Sequence, residues 1–416
     1  VSLRSYSPYL SAIVLCSVLT GCDQSPDSQT QAPSENFGKQ LQAQLIDAKA
    51  GDVIEIPAGT YELDRSLTLN VDGVTIRGAG IDKTILNFKN QLAGAEGVMV
   101  TASDFTIEDL AIEDTKGDAL KISDGKNIII RRVRAEWTGG PSTDNGAYGF
   151  YPVLTENTLI EDSVVKGASD AGIYVGQSRN IIVRRNLAEY NVAGYEIENS
   201  IGADVYENVA TNNTGGILIF NMPSLTQPGH TVRIYNNKVY ENNTENFAPK
   251  GGPVASVPAG SGILINSNDK VEIFDNELRD NDTAHIIISS LFTANYAEEY
   301  AHSENFDPYP EGIQVLDNTY IGGGESPGRL ELKALKFSMF GLNGSLPDVL
   351  WDGIVDANKF VDGQLPEELG VCIGDEKASF INVDAGNNYS APTTDKAGVS
   401  CQLPRLAAIN LNGLGE

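Results

Sequence analysis

Residues 181–219 read IIVRRNLAEYNVAGYEIENSIGADVYENVATNNTGGILI. The two halves of this stretch can be laid one under the other almost without a gap. Val183, Arg184, Arg185 and Asn186 fall over Val205, Tyr206, Glu207 and Asn208. After each comes a short apolar run, a polar corner, a Gly and another apolar run. A self-similar unit of about 22 residues built from three short strands marks one coil of a solenoid. The predicted fold is all-β: a right-handed, single-stranded parallel β-helix with three strands per coil. An N-terminal helical cap and a disulfide-closed C-terminal cap complete it.

The unit extends in both directions. Aligned first strands are FTIED (105–109), IIIRR (128–132), TLIED (158–162), IIVRR (181–185), ADVYE (203–207), VRIYN (232–236), VEIFD (271–275) and IQVLD (313–317). Stacked coils lie about 4.8 Å apart, so columns down the alignment are contacts. One outward column runs Glu108, Arg131, Glu161, Arg184, Tyr206, Tyr235, Phe274, and its neighbour runs Asp109, Arg132, Asp162, Arg185. Opposite charges that alternate coil by coil, followed by stacked rings, are stabilising cross-strand pairs. Asn186, Asn208, Asn237, Asn276 and Asn318 form a corner ladder of the kind that bonds through its amides. These columns are read as scaffold, and the arginines in them as ladder partners and not as substrate ligands.

Function is sought where the repeat is interrupted. Insertions at 138–148 and 244–261 enter between second and third strands; those at 222–230 and 290–312 enter between a third strand and the next first strand. Both corners flank the third strand, and solenoid insertions gather on the binding face. By alternation, the outward third-strand positions are Lys121, Tyr151, Tyr174, Glu196 and Glu198, then Leu218, Phe220, Leu264 and Ile287. The insertions 244–261 and 290–312 are expected to cover the apolar half, leaving the polar half open between walls from 138–148 and 222–230. Glu196, Glu198 and Lys121 are the candidate catalytic residues. Tyr151, Tyr174, Asp118 and Asp170 are the candidate substrate ligands. Aromatic faces suit sugar rings and carboxylates suit hydroxyls. Glu196 and Glu198 lie two apart on one strand, about 6.6 Å between Cβ atoms, compatible with an acid/base pair in glycoside hydrolysis. Lys121 or a Tyr could instead abstract the proton beside a uronate carboxylate, as lyases and epimerases require. An exposed polar face with no chemistry is the plain alternative.

Acidic residues outnumber basic ones 56 to 29, for a net charge of −27 over 416 residues. That field excludes a nucleic-acid partner. The three histidines are scattered, and no CxxC, Cys/His cluster or CxxCH occurs, so no metal is assigned and no cofactor is evident. Ca²⁺ stays open without a motif to hold it.

Residues 1–22 combine Arg4, an apolar core from Leu10 to Leu19 and Leu19-Thr20-Gly21-Cys22. This is an export signal too short to span a membrane, ending in a box that resembles the one at which bacterial lipoproteins are diacylated. Cys22 is the expected lipidation site, and the protein is expected to be exported and held at the periplasmic or cell-surface face of a membrane. Residues 23–35 are a polar tether. Residues 36–324 form the β-helix, in which 36–49 is an amphipathic cap helix over the open first coil. Residues 325–416 are C-terminal coils and cap, with strand-like pieces at RLELKALKF and ASFINVDA. In an oxidising compartment Cys372 and Cys401 are expected to pair.

The opening pattern GDVIEIPAGTY…VTIRGAG (51–80), the coils GYEIENS…ADVYENVATNNTGGILIFN and the tail LPDVLWDG…LPEELGVCI together resemble a bacterial family of parallel β-helix repeat lipoproteins. That family lies within the pectin lyase-like superfamily. The resemblance spans about residues 36–416. It implies the β-helix fold and carries no established activity. It also implies an exported partner resembling a di-haem c-type cytochrome, through gene pairing. The clustered Asp set of polygalacturonase-like hydrolases and the Asp-Pro-His-Glu motif of alginate epimerases are not found. Two readings follow: a β-helix that binds or processes polysaccharide, by lyase, epimerase or hydrolase chemistry, or a non-enzymatic scaffold that docks an exported partner.

Overall fold

The computed structural model describes residues 37–294 and 303–415. The expected signal, lipidated Cys22 and tether lie outside the described residues. Within them the chain winds as a parallel β-helix. First and second strands stack into one long parallel sheet, and third strands stack into another, running from Arg65–Leu69 to Phe380–Asn382. The inward positions between the sheets are mostly aliphatic or aromatic, and Ile128, Val183, Val205, Ile217 and Ile263 are fully buried. The helix Phe37–Asp47 buries Leu41 and Leu45 on the first coil, closing the sheet end as expected, while Ile46 points to solvent.

The register follows the predicted columns. Glu108 pairs with Arg131, Arg131 with Glu161, Glu161 with Arg184, and Arg184 with Tyr206. Arg131 and Arg184 both reach Glu161, Arg131 Nε at 2.6 Å and Arg184 Nη2 at 2.7 Å. Tyr206, Tyr235 and Phe274 stack with centroids 4.8 and 4.9 Å apart. The corner residues Asp109, Arg132, Asp162, Arg185, Glu207, Asn236, Asp275 and Asp317 all have φ between 49 and 61°. One left-handed residue turns each strand sharply, and after glycine Asp and Asn tolerate that region best. Arg132 and Arg185 occupy it while paired to the Asp one coil before, at 2.7 and 2.8 Å.

Beside this corner, the Asn186 backbone N–H and Nδ2 both donate to Asn208 Oδ1 at 3.0 Å, and Asn208 does the same to Asn237. Asn318, the last rung, donates from its backbone to Asp375 Oδ2 at 2.9 Å. A second buried ladder stands at the next corner: Asn191, Asn213, Asn242 and Asn281, ended by His285 Nδ1 at 3.1 Å from Asn281 Nδ2. It needs glycine opposite. A Cβ on Gly194 would lie 2.9 Å from Asn213 Nδ2 and 2.6 Å from the Gly216 carbonyl.

Three parts of the fold differ from expectation. The segment read as strand-like at RLELKALKF is the helix Leu330–Phe340. Leu332, Leu335 and Met339 recur at helical spacing, and that period prevails over the apparent alternation. This helix lies over the apolar half of the third-strand sheet. The 290–312 insertion was expected there, but its described part packs at the corner, Leu291 against Met222, with Leu225, Ala294 and Phe306 around them. Lys359 holds it to the tail through Asp307 and Glu311. The 244–261 insertion does cover the face, with Val254 and Val257 packed beside Leu218 and Leu264.

The third difference is at the C-terminus. Cys372 and Cys401 form the expected disulfide. Beyond it the chain does not add coils but runs back along the outside of the first strands. The Leu406 N–H donates to Glu272 Oε1 at 2.9 Å, and the Ile409 N–H to Asp204 Oδ2 at 3.2 Å. Arg131 Nη2 then donates to the Gly415 carbonyl at 2.8 Å.

Candidate functional site

The third strands Leu120–Ser123, Tyr148–Val153, Ala171–Gly176 and Ala193–Glu198 are consecutive rungs of one sheet. Lys121 pairs with Tyr151, and Tyr174 with Glu196, which is followed by Leu218. Inward Tyr195 and Ile197 fix the orientation of Glu196 and Glu198. Tyr195 is anchored within the core by donating its hydroxyl to the Asn186 carbonyl at 2.8 Å. The alternation read in the sequence therefore places all five polar side chains on one outer face, but that face is not open throughout as expected: Tyr174 and Glu196 are buried, only 4% and 2% exposed, because the 244–261 insertion packs against the same cluster.

Tyr148, Tyr151 and Tyr174 gather there as a ring cluster, with centroids 4.5 to 4.9 Å apart. The Tyr174 hydroxyl donates to Glu198 Oε1 at 2.6 Å, and the Tyr148 hydroxyl to Asp170 Oδ2 at 3.4 Å. Gly176 makes the first of these bonds possible, since a Cβ there would lie 2.1 Å from Tyr174 Oη. Asp170 Oδ1 and Glu196 Oε2 are buried and receive no donor. Burial and the Asp170 charge both favour the protonated form of Glu196, so the two carboxyls are best accommodated with a proton between them. Lys121 Nζ sits 4.9 Å over the Tyr151 ring and 4.0 Å from Glu96 Oε1. Asp118 Oδ1 accepts from the Tyr148 N–H at 3.3 Å.

Burial governs the titration of this cluster. Desolvation, with repulsion from Glu198, pushes Asp170 up to about 7. Desolvation also pushes Glu198 up to about 7, against the opposing Tyr174 hydrogen bond. Glu196 is raised well above the carboxylate range by desolvation and then by Asp170 and Glu198. Desolvation takes Asp118 to about 6, resisted by the Lys121 charge. At neutral pH the face thus holds carboxyl groups that retain protons, the state a general acid requires.

Of the residues expected from the sequence, Glu196, Glu198, Asp170 and Tyr174 come together, and Tyr151 joins them through the rings. Lys121 and Asp118 do not join the glutamates. They stand three coils away, about 14 Å along the stack, too far to act with Glu198 on one bond. Two residues were missed. Tyr148 was counted with the insertion 138–148, although it begins a strand. Glu96 lies on the third strand Ala93–Val100, where a register shift opposite Arg65/Leu67 hides the alternation. The 138–148 wall meets the 244–261 insertion where Thr143 Oγ1 donates to the Phe247 carbonyl at 2.9 Å. The 222–230 insertion is pinned at the opposite corner, Thr226 Oγ1 to Gln177 Oε1 at 2.8 Å. Among the described residues no three or more His, Cys, Asp or Glu side chains are grouped to hold a metal ion.

No curated protein is significantly similar to the chain in sequence. Among solved structures, the A-module of the mannuronan C-5 epimerase AlgE4 of Azotobacter vinelandii is 18% identical with a TM-score of 0.48, over 69% of this chain and 92% of that one. An alginate lyase from Paenibacillus is 15% identical with a TM-score of 0.40, over 68% and 93%. The family 28 exopolygalacturonase of Yersinia enterocolitica is 13% identical with a TM-score of 0.43, over 69% and 63%. Nothing about activity follows from likenesses this distant. The model of the right-handed β-helix region matches residues 67–226 and 142–305, overlapping segments that take in most of the coils described above. By that match, and by the stacked register of its strands, the chain belongs to the right-handed β-helix family.

Proposed function

We propose that the protein binds a neutral polysaccharide along the tyrosine-lined outer face of its third strands and hydrolyses it by acid–base catalysis. The observation that carries this reading is Glu198, bonded by the Tyr174 hydroxyl at 2.6 Å, beside the Asp170 and Glu196 carboxyls, each with a buried oxygen that finds no donor. Glu198 is the general acid. The Asp170–Glu196 pair, which keeps one negative charge between two carboxyls, is the base or nucleophile. Both lie within one coil step, the range over which a glycosidic bond can be flanked. Tyr151, Lys121 and Asp118 extend the face for neighbouring sugar rings. A neutral polymer fits better than a polyuronate. Among the described residues this face carries Asp118, Asp170, Glu96, Glu196 and Glu198 with Lys121 as its one cation, three coils from the glutamates, and enolate chemistry would need positive charge beside them. In this reading residues 1–22 direct export, and a lipid on Cys22 holds the protein at the periplasmic or cell-surface side.

A panel of neutral and uronic-acid polymers, read for new reducing ends and for unsaturated products, tests the reading. Reducing ends from a neutral polymer are expected, lost by about 10² to 10⁴-fold in Glu198→Gln. Unsaturated uronate products, or no binding to any neutral polymer, would overturn it. Labelled palmitate should enter the wild-type protein in a bacterial host and not Cys22→Ser.

A further inference from the structure

Past Glu196 and Glu198 the same sheet face turns apolar, and there the helix that roofs it packs on the floor without filling all the space between them. The helix Leu330–Phe340 turns Leu332, Leu335, Met339 and Phe340 toward the sheet, yet none of its residues is fully buried. A cavity of about 580 Å³ lies beneath it. Its floor is Phe220, Leu264, Ile287 and Leu350, and its walls include Val257 and Leu335. That volume is in the range of pockets that enclose a small molecule, and the lining is of the apolar kind such pockets have.

The charges around the cavity are few and differ in state. Asp352 is spoken for: it accepts from the Ser290 N–H and hydroxyl at 2.6 Å, from the Ile354 N–H at 3.0 Å and from Thr293 Oγ1 at 3.1 Å. Glu331 is exposed on the helix. Arg329 is different. It lines the cavity, is partly buried, and forms no ion pair among the described residues. Desolvation lowers its proton affinity, and Glu331 and Tyr389 favour its charge from outside pairing distance. In a chain of net charge −27, a desolvated arginine left without a carboxylate beside an apolar chamber is a site for an anion with an apolar body.

We infer that this cavity binds an aliphatic carboxylate, a medium-length acyl chain lying between the helix and the sheet with its carboxylate on Arg329. The chain fills the space lined by Leu264 and Ile287 on the sheet and by Leu332 and Leu335 on the helix, and the guanidinium supplies the charge its head group needs. The site is separate from the tyrosine–carboxyl face and stands whether or not that face cleaves glycans.

Titration calorimetry of the full chain with octanoate, decanoate and dodecanoate tests this. Affinity should rise about fourfold per added methylene, the increment of apolar transfer. Arg329→Gln should weaken decanoate at least tenfold and leave 1-decanol binding unchanged, which also reports that the variant is folded. Ala334→Trp, at a helix residue that lines the cavity, should block both ligands. The inference is overturned by no binding of any of the three acids at millimolar concentration. It is equally overturned by affinity that ignores chain length, or by carboxylate binding indifferent to Arg329→Gln.

Discussion

Glu198→Gln should leave the protein about as stable as wild type in acid and make it more stable in mild base. The Glu198 carboxyl, ordinarily near 4.5, is pushed up to about 7. The folded state therefore holds this proton more tightly than the unfolded chain does. Its contribution is fully present below about pH 4.5, declines as pH rises, and is lost once pH passes about 7. At about 1.4 kcal/mol per tenfold change in proton affinity, the whole decline is about 3 kcal/mol. Gln copies the protonated acid: its carbonyl can still accept from Tyr174 Oη, now 2.6 Å from Glu198 Oε1. It carries no charge to desolvate. Removing Glu198 also relieves the repulsion that helps raise Asp170, which adds to the gain above neutrality. Urea unfolding at pH 5 and pH 8.5 is the assay. The expected outcome is a difference between variant and wild type of under about 1 kcal/mol in acid and about 2 to 3 kcal/mol in favour of the variant in base. Equal effects at the two pH values, or a variant less stable at pH 8.5, would refute the claim that this carboxyl is held protonated by burial.

Gly176→Ala should push the Tyr174 phenol off Glu198, because the new Cβ would lie 2.1 Å from Oη. The Tyr174 bond holds the Glu198 pKa down, so the alkaline limb of a pH–activity profile should move upward, with about 1 to 2 kcal/mol lost in urea unfolding; an unmoved limb contradicts this. Asn208→Ala breaks a ladder rung that accepts twice from Asn186 and donates to the Val183 carbonyl at 2.9 Å. Urea unfolding should show a loss of about 3 kcal/mol, and a loss below about 1 kcal/mol would mean the ladder is ornamental. Reduction of Cys372–Cys401, which closes a loop of 29 residues, should cost about 3.5 kcal/mol, read as a lower urea midpoint in reductant; coincident curves would show that the bridge adds nothing.

The coil repeat and its columns were legible because a parallel β-helix writes its contacts into sequence at a nearly fixed interval. Glu161 must meet Arg131 and Arg184 whatever the rest of the chain does, and the alternation of Tyr195 and Ile197 with Glu196 and Glu198 sets the face of each. What failed to show were features without a period. The second ladder escaped because Asn191, Asn213, Asn242 and Asn281 sit among other polar corner residues, and only the glycines opposite them distinguish that column. Helix Leu330–Phe340 was missed because an 11-residue helix beside GGGESPG looks like another decaying coil. The proximity of Asp170 to Glu196 depends on how a corner is turned, which the alternation of a strand does not specify. Lys121 shared the face with the glutamates in the alignment, and the coil spacing alone was enough to separate it from them.

A stack of coils ordinarily has stability that is local, each coil depending on its two neighbours. The C-terminal segment breaks that locality. Ile409 is 205 residues from Asp204, and Gly415 is 284 residues from Arg131, so the last residues of the chain clasp coils laid down near its beginning. The molecule becomes a ring of dependencies instead of a row, and fraying at the final coil must also release the clasp from Asp204 and Arg131. Unfolding should therefore be one transition in the whole chain and should split into separable steps when residues 403–416 are removed. A single unchanged transition after that truncation would show that the coils cohere without the clasp.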